Sequence, residues 1–192
     1  MNNVYSTADK SDGNGEVVLT AGGAIIDGGD ADVVVTTDNA DQVTLPGTDI
    51  VGDYVVLETV TGIGPDGSGT YGASDSAIET EITLLRGTNT GSNEIQVDEL
   101  DDLEVETVNN AFASADKTDG DGEIVLRAGG AIIDGGDAEL DIVGDSVRLQ
   151  AQTGIGPNGT GTNGAADSAL ETGINLLMAY NAASGEIQID EE

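Results

Sequence analysis

An all-β chain, a parallel β-helix or solenoid built from two tandem repeats, is the fold this sequence predicts. Three observations lead there. The block Asp9–Asp32, DKSDGNGEVVLTAGGAIIDGGDAD, returns as Asp116–Glu139, DKTDGDGEIVLRAGGAIIDGGDAE, and differs at five of 24 aligned positions. Two copies of one block mark an array of stacked units. Short aliphatic strands recur between Gly, Asp and Asn turns. Finally, the chain has 29 Gly, no Trp, four Tyr and one Phe among 192 residues, so Ala, Val, Ile and Leu must form the core. Such side chains suit thin, regularly stacked sheets better than a thick core around aromatic anchors.

The repeat extends past the opening block. The pair Asn2–Ser6 and Asn109–Ala113 aligns at an offset of 107. The first copy then carries an insert, Val33 to about Thr48. Beyond it Asp49–Leu85 matches Asp141–Leu177 at an offset of 92, and Asn93–Glu99 matches Gly185–Glu191. Copy one is therefore 1–108, with the insert at about 33–48, and copy two is 109–192, in one continuous solenoid. The two ends fall at equivalent phases of this periodicity. That phase match predicts either a piece of a longer array or a subunit that stacks end to end.

In copy two the expected strands are Glu123–Ala128, Ala131–Asp134, Leu140–Val143, Ser146–Ala151, Gly173–Met178 and Glu186–Asp190. Ile124/Leu126, Val147/Leu149 and Ile187/Ile189 alternate with the period of a strand buried on one face. Strands opening near Gly122, Asp145 and Gly185 are spaced 23 and 40 residues. A coil of about 20 residues would make those spacings one and two turns. In copy one the insert lengthens a coil. An antiparallel sandwich would use strands as short, but it requires no coil-length repeat. Ser74–Arg86 also fits an amphipathic helix through Ala77, Ile78, Ile82 and Leu85. Gly173 replaces Glu81 inside the partner segment, which weakens a helix by about 1 kcal/mol, so a strand is expected, with a turn of helix near Asp75–Glu79.

The order GEIVLRAGGAIIDGGDA, DIVGDSVRLQAQTGIG, SALETGINLL, GEIQIDE resembles the coils of filamentous-haemagglutinin-type giant bacterial surface adhesins. The resemblance covers both copies except the insert. It implies a right-handed β-helical stalk, an extracellular or cell-surface location, and structural work in adhesion or in a matrix or biofilm. It carries over no catalytic residue. The chain departs from the family in its acidity and in the glycine loop Gly62–Gly72, repeated as Gly154–Gly164.

Net charge is −32, with Lys10, Arg86, Lys117, Arg127 and Arg148 set against 37 acids. Such a surface repels nucleic acid and anionic lipid and attracts cations. No segment approaches 18 consecutive apolar residues, so no membrane-spanning helix is expected, and Met1-Asn2-Asn3 lacks the pattern of a signal peptide. There is no His and no Cys, which excludes imidazole- or thiol-based nucleophiles and metal sites. Paired carboxylates could hydrolyse glycosides, but the basic and aromatic residues that grip a sugar are scarce. An enzyme is not expected. The GIGPDG and GIGPNG runs contain proline and lead into no helix, so they are not dinucleotide loops.

Candidate ligands for a cation are all carboxylates and amides on glycine turns, the donors Ca2+ takes. They are Asp12, Asn14 and Glu16 in DGNGE, with Asp119, Asp121 and Glu123 in DGDGE. The others are Asp27 and Asp30 in DGGDAD, with Asp134 and Asp137 in DGGDAE. The competing reading is that Asp-Gly and Asn-Gly simply form turns. An EF-hand is excluded, because Lys10 or Lys117 would fill its first position and Ala21 or Ala128 its last. The expected partners are neighbouring β-helical repeats of the same or like chains and a host or matrix glycan or protein receptor. A second reading is a cation- or carbohydrate-binding module, presented on the glycine loops and the insert.

Overall fold

The computed structural model describes residues 15–27, 33–36, 42–45, 48–64, 77–110, 122–135, 140–156 and 169–192. Among them there are 19 strands and no helix, arranged as a nine-stranded sheet, an eight-stranded sheet and a two-stranded hairpin.

The chain passes back and forth between the two large sheets. β1 (Val17–Thr20) lies in the nine-stranded sheet and β2 (Ile25–Ile26) in the eight-stranded one. β3 (Val33–Thr36) and β4 (Gln42–Leu45) pair antiparallel as the separate hairpin, so the insert seen in the sequence is an excursion with its own strand pair. The chain returns to the eight-stranded sheet at β5 (Ile50–Val51) and crosses to the other at β6 (Tyr54–Thr59). It crosses back for β7 (Ile63–Gly64) and β8 (Ile78–Glu81). β9 (Leu84–Asn89), β10 (Ile95–Glu99), β11 (Leu103–Asn110) and β12 (Glu123–Ala128) then alternate between the sheets. β13 (Ile132–Asp134) and β14 (Ile142–Val143) lie in the nine-stranded sheet, and β15 (Ser146–Ala151) in the eight-stranded. β16 (Ile155–Gly156) and β17 (Leu170–Gly173) follow in the nine-stranded sheet, β18 (Leu176–Asn181) in the eight-stranded, and β19 (Ile189–Glu191) in the nine-stranded.

Every recorded pairing within the two large sheets is parallel, and each strand pairs with the one a full circuit away. Equivalent side chains therefore pile into columns. One column runs Ile25, Ile63, Ile95, Ile124, Val147, Leu177 through the eight-stranded sheet. Another runs Val17, Val55, Leu85, Val105 through the nine-stranded sheet. The inward residues of both sheets share one core, and Ile63, Ile95, Leu126 and Leu149 are wholly buried. At roughly 2 kcal/mol for each such side chain, these columns dominate the stability of a core without aromatic anchors.

The corners carry a polar ladder. Thr59, Asn89 and Asn110 end successive strands in register and are buried. Thr59 Oγ1 donates to Asn89 Oδ1 at 3.3 Å and Asn89 Nδ2 to Asn110 Oδ1 at 3.1 Å. Asn89 and Asn110 also donate to the carbonyls of Ser92 and Asn93 at 2.9 Å, closing the bend that leads to the other sheet. Gly62 and Gly64 flank Ile63 at φ 110° and 95°, and Gly154 and Gly156 flank Ile155 at 144° and 97°. A Cβ on Gly156 would lie 2.2 Å from the Gln188 carbonyl oxygen of the adjacent circuit. The Thr-Gly-Ile-Gly motif is thus a tight passage beside the adjacent strand.

Three expectations change. The circuit is not close to 20 residues throughout: register partners lie from 19 apart (Ile78 and Val97) to 38 apart (Val17 and Val55). The 40-residue spacing from Asp145 to Gly185 is one and a half circuits rather than two. Val147 pairs with Leu177 in the eight-stranded sheet, whereas Ile187 bridges Ile155 on the other side. Equivalent strands of the two copies consequently occupy opposite sheets. Finally, Gly173–Met178 is not one strand. The chain bends at Ile174–Asn175, where the N–H groups of Asn175 and Leu176 donate to the Asp145 carbonyl and Asn175 Nδ2 donates to Asp145 Oδ1 at 2.7 Å. Within Ser74–Arg86 the described residues form β8 and β9, in agreement with the strand reading; no helical turn covers 77–79, and 75–76 lie outside the described residues.

Candidate metal centre

Parallel stacking brings acids 30 residues apart into contact. The Asp49 N–H donates to the Glu79 carbonyl at 2.9 Å, and the Glu79 N–H returns a bond to Asp49 Oδ2 at 3.3 Å. In copy two the Asp141 N–H donates to the Glu171 carbonyl at 2.9 Å, and the Glu171 N–H to Asp141 Oδ2 at 2.8 Å. The register of β5 on β8 and of β14 on β17 sets both pairs.

A third acid completes each group. Asp27, just after β2, joins Asp49 and Glu79, while Asp134, at the end of β13, joins Asp141 and Glu171. In each group one carboxylate oxygen per residue lies within 4.8 Å of the other two. The trios are equivalent by sequence, since 27 and 134 differ by 107, and 49/141 and 79/171 each by 92. One lies along each sheet.

Burial makes these clusters costly in their charged form. Asp141 is fully buried, and Glu79 and Asp134 nearly so. Burial pushes Glu79 up to about 8, aided by a shared hydrogen bond with Asp49 and by the charges of Asp27, Asp49 and Asp98. Burial likewise pushes Asp141 up to about 8; the Glu171 N–H opposes this, and the charge of Asp134, a hydrogen bond shared with the Glu171 carboxyl and the charge of Glu171 reinforce it. Glu171 is raised by burial first and by Asp134 and Asp190 after it. Asp141 Oδ1 and Glu171 Oε2 are buried and accept no hydrogen bond. Each trio therefore holds a proton near neutral pH unless another positive charge replaces it. All six donors are hard oxygens, and none is nitrogen or sulfur, which suits Ca2+ or Mg2+ rather than zinc or copper.

Of the acids singled out in the sequence, Asp27 and Asp134 belong to the trios. Their companions are Asp49, Glu79, Asp141 and Glu171, which the sequence reading missed. Glu16 is exposed, and its counterpart Glu123 is fully buried at the start of β12; neither joins a trio. Gly15 and Gly122 beside them have φ 73° and 80°, the geometry of turn formers. Asp12, Asn14, Asp30, Asp119, Asp121 and Asp137 lie outside the described residues, as do Pro65–Gly72 and Pro157–Gly164 of the two glycine loops. Asp49 and Glu79 carried one usable signal, identity with their counterparts in copy two. Bringing them together requires a circuit length that the sequence does not state.

No family model matches the chain, and no curated protein or solved structure matches it either.

Proposed function

We propose that the chain is a non-enzymatic structural segment of a bacterial extracellular adhesin or surface fibre, coiled as a right-handed parallel β-helix. One observation carries this reading: the two sheets are built from register-matched parallel strands visited alternately, so added coils extend the stack without changing its cross-section. The right hand follows the general preference of parallel crossovers. The adhesin assignment draws on the motif resemblance, together with an acidic surface that keeps a long fibre soluble and separated from like fibres.

The neighbours of such a segment are β-helical coils of the same or like chains. β18 presents Leu176, Met178 and Tyr180 more than half exposed, whereas its counterpart β9 is covered by β11, with Leu84 and Leu85 buried. An apolar strand edge of this kind is a surface for another coil.

Head-to-tail fusions of one, two and three copies test the reading by solution scattering and electron microscopy. Rods of constant width, lengthening by about 17 Å for each added repeat at three and a half circuits of 4.8 Å, are the expected result. Beads joined by flexible necks would sink it. Antibody labelling of intact source cells tests the location, and labelling that appears only after lysis would contradict a surface fibre.

A further inference from the structure

We infer that the trios Asp27–Asp49–Glu79 and Asp134–Asp141–Glu171 are two equivalent Ca2+ sites, each clamping the neck of a corner loop to the adjacent coil. This goes beyond the fibre reading and holds or fails independently of it.

Four observations converge. Carboxylate oxygens that all lie within 4.8 Å of one another are close enough to share one ion. Three carboxylates on a single ion suit Ca2+, which takes six to eight oxygen ligands at about 2.4 Å, better than Mg2+, which keeps several waters and is held by one or two carboxylates. Asp141 is wholly buried, yet its Oδ1 accepts no hydrogen bond, and the buried Glu171 Oε2 beside it is equally unsatisfied. Buried oxygens of this kind normally have a partner, and a cation shared by both would supply one. The trio is reproduced at two places in the chain, down to the Asp N–H bonded to the Glu carbonyl and the Glu N–H bonded to the Asp carboxylate.

The fourth observation separates a site from a coincidence of composition. Asp134 and Asp141 are 7 residues apart, whereas Asp27 and Asp49 are 22 apart, because the hairpin β3–β4 lies between them. Fifteen additional residues leave the carboxylates grouped as before. The ligands are the fixed points of this corner, and the loop between them varies. A bound ion would tie the outgoing and incoming strands of the loop to Glu79 or Glu171 on the next circuit. Water and backbone carbonyls would supply the remaining ligands of a six- to eight-coordinate ion.

The test is calorimetric titration of CaCl2 into the chelator-stripped full chain at pH 7.5 in 0.3 M NaCl, compared with Glu79→Gln, Glu171→Gln and the double variant. Two ions are expected for the wild type, one for each single variant and none for the double. Melting provides the control for folding. Without Ca2+ the glutamine variants should melt no lower than the wild type, because each exchanges a buried acid, which must bind a proton or repel its neighbours, for a neutral amide. At a hundredfold excess of Ca2+ over Kd the wild-type melting temperature should rise by about 10 °C, and the double variant should not respond. Binding that survives in the double variant, or a thermal response matched by NaCl of equal ionic strength, would overturn the assignment. An equal response to MgCl2 would overturn its calcium identity.

Discussion

A buried carboxyl behaves differently from an acid on the surface. Glu99 accepts bonds from Thr80 Oγ1 at 2.7 Å and from the Ile82 N–H, and burial pushes its carboxyl up to about 8. Glu191 repeats the arrangement in copy two with Thr172 and Ile174. A pKa raised on folding means that the folded state holds the proton more tightly. The resulting stability is complete below the unfolded value near 4.5 and is lost as pH rises toward 8. Chelator-treated protein should therefore melt higher at pH 5 than at pH 8, a difference on the order of a few kcal/mol. Glu99→Gln should flatten that slope and exceed the wild type at pH 8. Denaturant midpoints across this pH range check both. Two further residues give opposite signs. Asn110 is fully buried and bonds to Asn89, Asn93 and Glu123, so Asn110→Ala should cost about 2–3 kcal/mol by leaving those partners unsatisfied. Gly87 interrupts an otherwise aliphatic column, and a Cβ there would meet Val108 and Ile63 at 3.8–3.9 Å, ordinary contact distances. Gly87→Ala should stabilise the chain by about 0.5–1 kcal/mol.

Strands were largely legible, because alternation along Glu123–Ala128 and Ser146–Ala151 survives in β12 and β15. The bends were not. Ile174–Asn175 looks like the middle of an aliphatic run, and only the Asp145 carbonyl and side chain, just before the neighbouring strand β15, reveal a corner there. The one non-conservative change in the duplicated block also has a local cause. Arg127 lies beside Asp98 at 2.7 Å, whereas Thr20 bonds to Glu58 at 3.2 Å. The trios were half legible. Asp27 and Asp134 were singled out on composition, but their partners arrive from strands one circuit away. At this scale the insert is predicted to be dispensable. Replacing Gly28–Thr48 with the shorter counterpart Gly135–Leu140 should keep the melting temperature within about 3 °C and preserve two Ca2+ per chain. A cooperative unfolding scan paired with a calcium titration checks it, and collapse of the stack would show that the hairpin is structural.

For the whole molecule, the decisive feature is the mismatch between repeat and coil. Blocks as alike as Asp9–Asp32 and Asp116–Glu139 would fall in the same sheets if the copies were related by whole circuits. The extra half-circuit instead turns copy two over, placing β12 and β15 in the opposite sheet from their counterparts β1 and β6. The two acidic trios thereby fall along different sheets, so a fibre built this way would carry cation sites on two sides. The alternating parallel stack can be tested by cross-linking, because the chain has no cysteine of its own. Gln150 and Tyr180 are exposed register partners on β15 and β18, and Thr20 and Glu58 are exposed partners on β1 and β6. Neighbouring strands at about 4.8 Å place their Cα atoms within disulfide range. Gln150→Cys/Tyr180→Cys and Thr20→Cys/Glu58→Cys should each oxidise to a single intramolecular disulfide under mild conditions and melt no lower than the wild type. Failure to cross-link while the chain remains folded, or cross-links that form only with loss of the folded β spectrum, would contradict the stack.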